Sequence, residues 1–177
     1  MIGRVPQDRA EPPGAAAITL RPMTDEDLPF LRQVHHSTRW DELGPTGWPD
    51  AAKIGFLDQQ FALQHRQYVA GFTGAAFSIV LYRGQPIGRF YVDRTTRNLH
   101  VIDISLLPAW RGRGLGTALL AGLQDEVRAG GFDRIGLSAA IDGPARRLYE
   151  RLGFVPANPP EEFPGLYLEM VWPAPSN

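Results

Sequence analysis

The stretch LLPAWRGRGLGTALL, residues 106–120, decides the fold of this chain. An apolar run ends at a proline, glycine occupies every second position of 112–116, and a second apolar run begins at Leu115. Glycine lets the backbone approach a ligand closely, and the free N–H groups at the start of a helix attract anions. Arg111 and Arg113 add positive charge beside the turn. The stretch therefore predicts a strand, a phosphate-binding turn and a helix.

The glycine spacing disfavours two nucleotide-binding sites. A P-loop needs a lysine followed by serine or threonine after its last glycine, and no lysine lies near this turn. The dinucleotide fingerprint G-x-G-x-x-G fails as well, because Gly112, Gly114 and Gly116 form G-x-G-x-G. A dinucleotide-dependent oxidoreductase is therefore disfavoured.

Strand and helix patterns alternate on both sides of the opening stretch in the order β-α-α-β-β-β-α-β-α-β-β. The predicted strands are 18–21, 75–82, 86–93, 99–108, 134–140, 154–157 and 166–172. The predicted helices start at Thr24, Lys53, Leu115 and Gly143. Short turns between the strands of 75–108 indicate an antiparallel meander, whereas the strand, helix and strand of 99–140 form a parallel crossover. The sheet is therefore mixed.

Composition limits the class of protein. The 177 residues fit one domain, expected at 17–173 between short tails at 1–16 and 174–177. The chain has no cysteine, which excludes disulfides, zinc–thiolate sites and a cysteine nucleophile and fits a cytoplasmic location. A net charge of −1 disfavours nucleic acid as a partner, and no apolar run is long enough to cross a membrane. The four histidines lack metal-ligand spacing, so we expect no metal.

Two motifs resemble those of the GNAT N-acetyltransferase superfamily. RGRGLG (111–116) is similar to its [QR]-x-x-G-x-[GA] motif, and GPARRLYERLGF (143–154) is similar to its second signature, A-x-x-L-Y-x-x-L-G-F. The separation of the motifs and the order of elements agree over about residues 17–172. The resemblance implies an acetyl-CoA-dependent N-acetyltransferase. It also implies an α+β fold with a central mixed, mostly antiparallel sheet of six or seven strands, flanked by about four helices and splayed at the cofactor slot.

The resemblance also implies which residues bind acetyl-CoA. The pyrophosphate would lie on the glycine turn, formed by Arg111, Gly112, Arg113, Gly114, Leu115, Gly116 and Thr117. The backbone of Leu106 and Leu107 would pair with the pantetheine arm as an added strand does. Asp142 and Ala145 would contact the cofactor at the second signature. The family commonly has asparagine where this chain has Asp142, which can still cap the helix but lacks the amide donor.

The resemblance assigns Tyr149, in the L-Y-x-x-L-G-F position, as general acid toward the departing thiolate. A phenol with a reference pKa of ~10 is protonated at pH 7 and can donate to sulfur. The strand at 134–140, where some relatives have a glutamate, contains no acid. Asp103 and His100 are the candidate bases, with a structural hydrogen bond as the alternative for each. Strand alternation predicts that these two side chains face opposite sides of the sheet.

Two irregular segments, 37–50 and 158–165, are the candidate acceptor site. Their aromatic and acidic side chains suit a cationic amine or form a solvated surface: Trp40, Asp41, Glu42, Trp48, Glu161, Glu162 and Phe163. The expected acceptor is a primary amine of a small molecule or peptide, with polyamine, amino acid, aminoglycoside and protein N-terminus all open. A homodimer is common in proteins of this type. A non-catalytic acyl-CoA-binding sensor or regulatory module of the same fold is the alternative function.

Overall fold

The computed structural model describes residues 17–158 and 165–174. In that part of the chain seven strands form one sheet in the order β1-β2-β3-β4-β5-β7-β6. The strands are β1 (Ile18–Pro22), β2 (Ala76–Tyr82), β3 (Gln85–Asp93), β4 (Asn98–Leu106), β5 (Arg134–Ala140), β6 (Val155–Pro156) and β7 (Tyr167–Pro173). The α-helices are α1 (Leu28–Arg39), α2 (Asp50–Gly71), α3 (Leu115–Arg128) and α4 (Pro144–Arg151).

The predicted fold class and the predicted order of elements are confirmed. The largest differences lie at element ends, where local chemistry decides the boundary. β4 ends at Leu106 because Pro108 has no N–H group to donate and begins a short 3₁₀ turn. α2 begins at Asp50, three residues before the predicted start, and Ile54 on its predicted apolar stripe is 45% exposed.

The helices cover the two faces of the sheet and create two hydrophobic cores. The larger core lies between the sheet and α3 and α4, and it contains the apolar stripe of α3 that begins with Leu115 and ends with Val127. The smaller core lies on the opposite face, where Leu31 of α1 and Phe61 of α2 pack against Ile79 and Tyr91. The two faces are called here the α3 face and the α1 face.

β4 and β5 are the parallel pair in the sheet, and they pair over a short length. Their ladder runs from Asn98–Arg134 to Val101–Leu137. Beyond this point β4 continues to pair with β3 as far as Leu106, and β5 continues to pair with β7 as far as Ala140. The facing edges of β4 and β5 therefore lack each other as partners beyond Val101, which forms the slot of the splayed sheet.

A β-bulge in β4 changes which side chains face the α1 face. Tyr91 of β3 lies opposite Asp103 and Val92 lies opposite Val101, so Ile102 is an extra residue in β4. The bulge reverses the alternation, and both Asp103 and His100 face the α1 face. The prediction that they face opposite sides is wrong, because it assumed a regular strand.

Gly88 allows β3 and the end of β4 to approach each other closely. A Cβ atom at position 88 would overlap the carbonyl oxygen of Ser105 and lie 3.0 Å from the Cα of Leu106. These are backbone atoms, which cannot move aside as a flexible side chain can. Glycine is therefore required here by packing, at the strand end that borders the slot.

We expect Gly88→Ala to destabilise the protein by about 1–3 kcal/mol, because the new methyl group overpacks the β3–β4 contact. Gly122→Ala is the matched control: it lies in the exposed interior of α3, a Cβ there meets no atom within 4 Å, and alanine should stabilise by about 0.5–1 kcal/mol. Urea denaturation of both variants measures the two effects. Equal effects in both variants would contradict the close approach at Gly88.

Candidate active site

The glycine turn before α3 presents a row of free backbone N–H groups. Gly112 and Gly114 adopt φ values of 70° and 77°, a region that other residues rarely occupy. Within the described residues, none of the amides of 112–117 donates to a protein acceptor, and the first helical bond joins the Ala118 N–H to the Gly114 carbonyl at 3.0 Å. With the positive end of the helix dipole added, the turn is suited to an anion.

The two arginines of the turn have different surroundings. The Nε of Arg111 donates to the Leu106 carbonyl at 2.8 Å, and its Nη2 donates to the carbonyl and hydroxyl oxygens of Ser37 at 3.1 and 3.2 Å. The motif predicts a coenzyme contact for Arg111, and in the structure two of its nitrogens clamp α1 to the end of β4. The guanidinium of Arg113 lies 5.2 Å from the ring centroid of Trp110, and no carboxylate pairs with it among the described residues.

The two leucines at the end of β4 present their backbones in opposite directions. The Leu107 N–H donates to the Ile87 carbonyl of β3 at 2.9 Å, and the Leu107 carbonyl accepts from the Trp110 N–H at 2.9 Å. Both groups of Leu107 are therefore occupied and lie away from the slot. Because alternate residues of a strand direct their backbone groups to opposite edges, Leu106 faces the slot, and its carbonyl accepts from Arg111.

Asp103 forms a buried ion pair with Arg89 on the α1 face. The Arg89 Nε and Nη2 donate to the two carboxylate oxygens at 3.1 and 2.7 Å, and the side chains are 4% and 10% exposed. The Tyr68 and Ser105 hydroxyls donate to the same carboxylate at 3.2 and 2.7 Å. Burial favours a lower pKa for Arg89, but the charge and hydrogen bond of Asp103, together with Tyr91 and Tyr68, outweigh burial and raise this pKa. The candidate base Asp103 is thus saturated with donors, as a structural ion-pair partner would be.

The second candidate base, His100, lies beside the end of α2. Its ring stacks on Phe72 with centroids 5.9 Å apart and planes 15° apart. A Cβ at Gly136 of β5 would lie 3.7 Å from its Nδ1, so the imidazole borders the floor of the sheet. His100 therefore lines an open groove, whereas Asp103 belongs to a network of hydrogen bonds.

Tyr149 of α4 is buried in the core of the α3 face. Its side chain is 6% exposed and packs on Phe154 at 5.9 Å between ring centroids. Burial, and next the negative charge of Asp103, raise the pKa of Tyr149 to about 12. The phenol therefore stays protonated at neutral pH.

The start of α4 differs from the prediction. Gly143 is the N-cap, Pro144 is the first helical residue, and no side chain caps the helix. The prediction that Asp142 caps this helix is therefore wrong, because the cap position falls one residue later. Asp142 and Ala145 are both exposed; Asp142 precedes the helix that carries Tyr149, and Ala145 lies in its first turn.

The residues predicted for the acceptor are partly engaged by the chain's own cations. The Lys53 ammonium lies 5.5 Å from the ring centroid of Trp40, and Arg39 pairs with Glu42 at 3.1 Å. Trp48 packs edge-on against Phe56, and Asp41 is exposed. Glu161, Glu162 and Phe163 lie outside the described residues. The segment 37–50 is therefore less open to a cationic ligand than its composition indicates.

Several polar residues and glycines inside strands were not predicted as site residues, although their patterns in the sequence carry a signal. Arg89 is a charged residue inside the apolar run PIGRFYVD, and Glu169 interrupts LYLEMVW. Each is a polar residue in a strand pattern, the same signal that identified Asp103. Glycine at 88 and at 136 in strand interiors is a second signal, since such glycines often mark a close approach of backbone or ligand.

The described residues contain neither a candidate metal site nor a candidate membrane-spanning helix. The part of the chain in 17–158 and 165–174 contains no group of three or more His, Asp or Glu side chains arranged to hold a metal ion. In the same ranges, no helix combines the length and apolar character needed to cross a membrane.

The acetyltransferase (GNAT) family model matches residues 34–154 of this chain. A search of curated proteins finds no significant match. The fold is similar to that of PaiA N-acetyltransferase from Thermoplasma acidophilum in complex with coenzyme A, at 15% identity and a TM-score of 0.62, covering 88% of this chain and 98% of that one. It is also similar to spermidine N-acetyltransferase from Vibrio cholerae in complex with CoA and spermine, at 18% identity, a TM-score of 0.61 and coverage of 90% and 96%.

A third similar structure is the ribosomal-protein-S18-alanine N-acetyltransferase from Escherichia coli. It is 20% identical, with a TM-score of 0.57, and the match covers 90% of this chain and 96% of that one. At these identities the likeness concerns the fold.

We expect Arg89→Met to lower the free energy of unfolding by about 3–5 kcal/mol, because it leaves the Asp103 carboxylate buried without its cation. The double variant Arg89→Met with Asp103→Leu should recover much of this loss, since no unpaired charge remains. Urea denaturation measures both. A loss below 1 kcal/mol in the single variant would show that the ion pair does not anchor the bulge.

Proposed function

The chain belongs to the acetyltransferase (GNAT) family and is an acyltransferase; from this premise we propose that it transfers an acetyl group from acetyl-CoA to a primary amine of a small molecule or peptide. The observation that carries the proposal is the row of amides at 112–117, which have no acceptor within residues 17–158 and 165–174, beside the open ends of β4 and β5. The amides suit an anionic head group, and the open strand ends suit an extended, peptide-like arm.

The residues of the slot would each meet a different part of coenzyme A. The amides of 112–117 would hold the pyrophosphate, and the guanidinium of Arg113, which pairs with no carboxylate among the described residues, adds positive charge beside them. Leu106 directs its backbone to the slot, where the amide groups of a pantetheine arm would find a partner. Two of the solved structures with this fold, the PaiA enzyme and the spermidine enzyme, contain coenzyme A, which supports the assignment.

Tyr149 would act as the general acid. The acceptor ammonium first loses one proton to water, and the neutral nitrogen attacks the thioester carbonyl carbon. A carbon–nitrogen bond forms and the carbon–sulfur bond breaks, while the Tyr149 hydroxyl gives its proton to the departing sulfur. The surplus proton on nitrogen then returns through water to the phenolate. A buried phenol with a pKa raised to about 12 is protonated for this step at every physiological pH.

The saturated Asp103 favours the second candidate function, an acyl-CoA-binding sensor without turnover. A sensor requires the coenzyme site and no free base, and the Asp103 carboxylate accepts four hydrogen bonds from three side chains. The two functions differ in one measurable outcome, the release of free thiol in the presence of an amine.

We expect acetyl-CoA and CoA to raise the melting temperature and NADH to leave it unchanged, with about 2.7 kcal/mol of stabilisation at a ligand concentration 100 times the Kd. Gly112→Ala should lose most of this response, because φ of 70° strains alanine within the amide row. Gly130→Ala is the control, with φ of 84° at the far end of α3 and no atom within 4 Å of its Cβ. Gly130→Ala should lose about as much stability as Gly112→Ala, but its melting temperature should still rise fully with acetyl-CoA or CoA. No shift with either coenzyme would contradict the proposed function.

Tyr149→Phe should lower kcat about 100-fold and leave the Kd for CoA unchanged, because the hydroxyl acts on the leaving sulfur. Tyr91→Phe is the control, since Tyr91 is another buried tyrosine with a pKa raised to about 12. In the wild type, kcat should show no alkaline loss from Tyr149 below about pH 10, since its folded pKa lies above the unfolded value. Free thiol release over a panel of amines measures these effects; an unchanged kcat in Tyr149→Phe would remove the phenol from the chemistry.

A further inference from the structure

A groove on the α1 face of the sheet lies beside the point where β4 and β5 separate. Its volume is about 380 Å³, and its lining includes Asn98, His100, Arg134, Gly136, Asn158 and Glu169. All of these strand residues share one face, because Asn98 and His100 lie beside Arg134 and Gly136, and Ser138 lies beside Glu169. The larger core occupies the other face.

Gly136 keeps this groove open without being required by the fold. Its φ is not in the left-handed region, and the nearest atom to an added Cβ would be the His100 Nδ1 at 3.7 Å, an ordinary contact distance. Glycine in the interior of a strand lowers stability, because it has no side chain to pack and loses more entropy on folding. Neither backbone strain nor crowding therefore explains this glycine, whereas a ligand lying against the sheet would.

The groove has a negative end at the slot. Glu169 lies opposite Ser138, the first residue of β5 beyond the ladder with β4. Its side chain is exposed, and no cation pairs with it among the described residues. A carboxylate at this place can bind the ammonium group of an acceptor beside the position where the acetyl group would arrive.

The other end of the groove, four residues before Ser138 in β5, is positive. The Nε of Arg134 donates to the Asn98 Oδ1 at 3.1 Å, which holds the guanidinium on the sheet with its two terminal nitrogens available. Four strand residues correspond to ~13 Å between the Cα atoms of 134 and 138. A second ammonium group at this end would face like charge, so the lining disfavours a polyamine.

We propose that this groove binds the acceptor and that the acceptor is a short peptide segment whose N-terminal ammonium lies at Glu169 and whose acidic group, about three residues along, lies at Arg134. This inference rests on the acetyltransferase function proposed above and adds the substrate class to it. Small first residues fit beside Glu169, because Gly136 lines the groove without a side chain and the next residues of β5 on this face, Ser138 and Ala140, are small. His100 lines the groove, and its ring stacks on Phe72.

The test compares tripeptide amides that differ in the charge of the third residue: Ala-Ala-Asp-amide, its Asn isostere and its Lys counterpart, with spermidine as the polyamine. We expect kcat/KM for the Asp peptide to exceed that for the Asn peptide about 10-fold, with the Lys peptide and spermidine lower still. Arg134→Gln should reduce the Asp-to-Asn ratio to near one. Arg66→Gln, which removes an exposed arginine from α2, should leave the ratio unchanged.

Two further variants test the other parts of the groove. Glu169→Gln should raise KM about 10-fold for all the peptides, whereas Glu26→Gln, an exposed glutamate before α1, should not. Gly136→Val should lower kcat/KM for all acceptors, and valine suits a strand, so the fold is expected to persist. The melting-temperature response to CoA should be retained in both variants, which separates acceptor binding from loss of structure.

The outcomes distinguish the inference from the proposed function. Turnover of spermidine above the Asp peptide, or an Asp-to-Asn ratio that Arg134→Gln leaves intact, overturns the acceptor assignment while acetyl transfer stands. Binding of CoA without thiol release for any amine overturns both and supports the sensor. Selectivity for the Asp peptide that depends on Arg134 supports the assignment.

Discussion

The ladder between β4 and β5 ends at the Val101–Leu137 pair, and the backbone groups beyond it require other partners. The bulge at Ile102 and the buried Arg89–Asp103 ion pair lie directly at this point. A buried ion pair contributes little net stability, since desolvation offsets its attraction, but it tolerates few geometries. We interpret the pair as the device that sets the register and shape of β4 where the slot begins.

Different elements border the gap between β4 and β5 on the two faces of the sheet. From the α3 face, the glycine turn presents its amides and α4 presents the Tyr149 phenol. On the α1 face, the groove containing His100 and Glu169 reaches the ladder end. The end of α1 joins the two sides, because Ser37 accepts from Arg111 and Arg39 donates to the Tyr167 hydroxyl of β7 at 3.4 Å. A coenzyme and an acceptor would thus meet at one gap without competing for space.

Local patterns in the sequence were sufficient to predict the strands, the helices and the glycine turn before α3. The glycine turn was predictable because its features are local: positive φ needs glycine, and the free amides follow from the start of a helix. The bulge was not predictable, since VIDISLL is compatible with either register of Asp103. The ion pair was not predictable either, because Arg89 and Asp103 belong to different strands. Leu107 and Asp142 show the same limit of local patterns. A shift of one residue changes the direction of the backbone groups at Leu107 and moves the helix cap from Asp142 to Gly143.

The sequence by itself determined the order of strands and helices, the glycine turn at 112–117 before its helix and the position of Tyr149 on its helix. Each depends on residues within a few positions of one another, through periodicity, glycine conformation and helix termini. Only the tertiary structure decided that Asp103 is neutralised by Arg89, that Arg111 holds α1 against β4, and that Glu169 and Arg134 face one groove. These facts depend on strand register and on which elements pack together, and register is set by long-range pairing that no local pattern specifies.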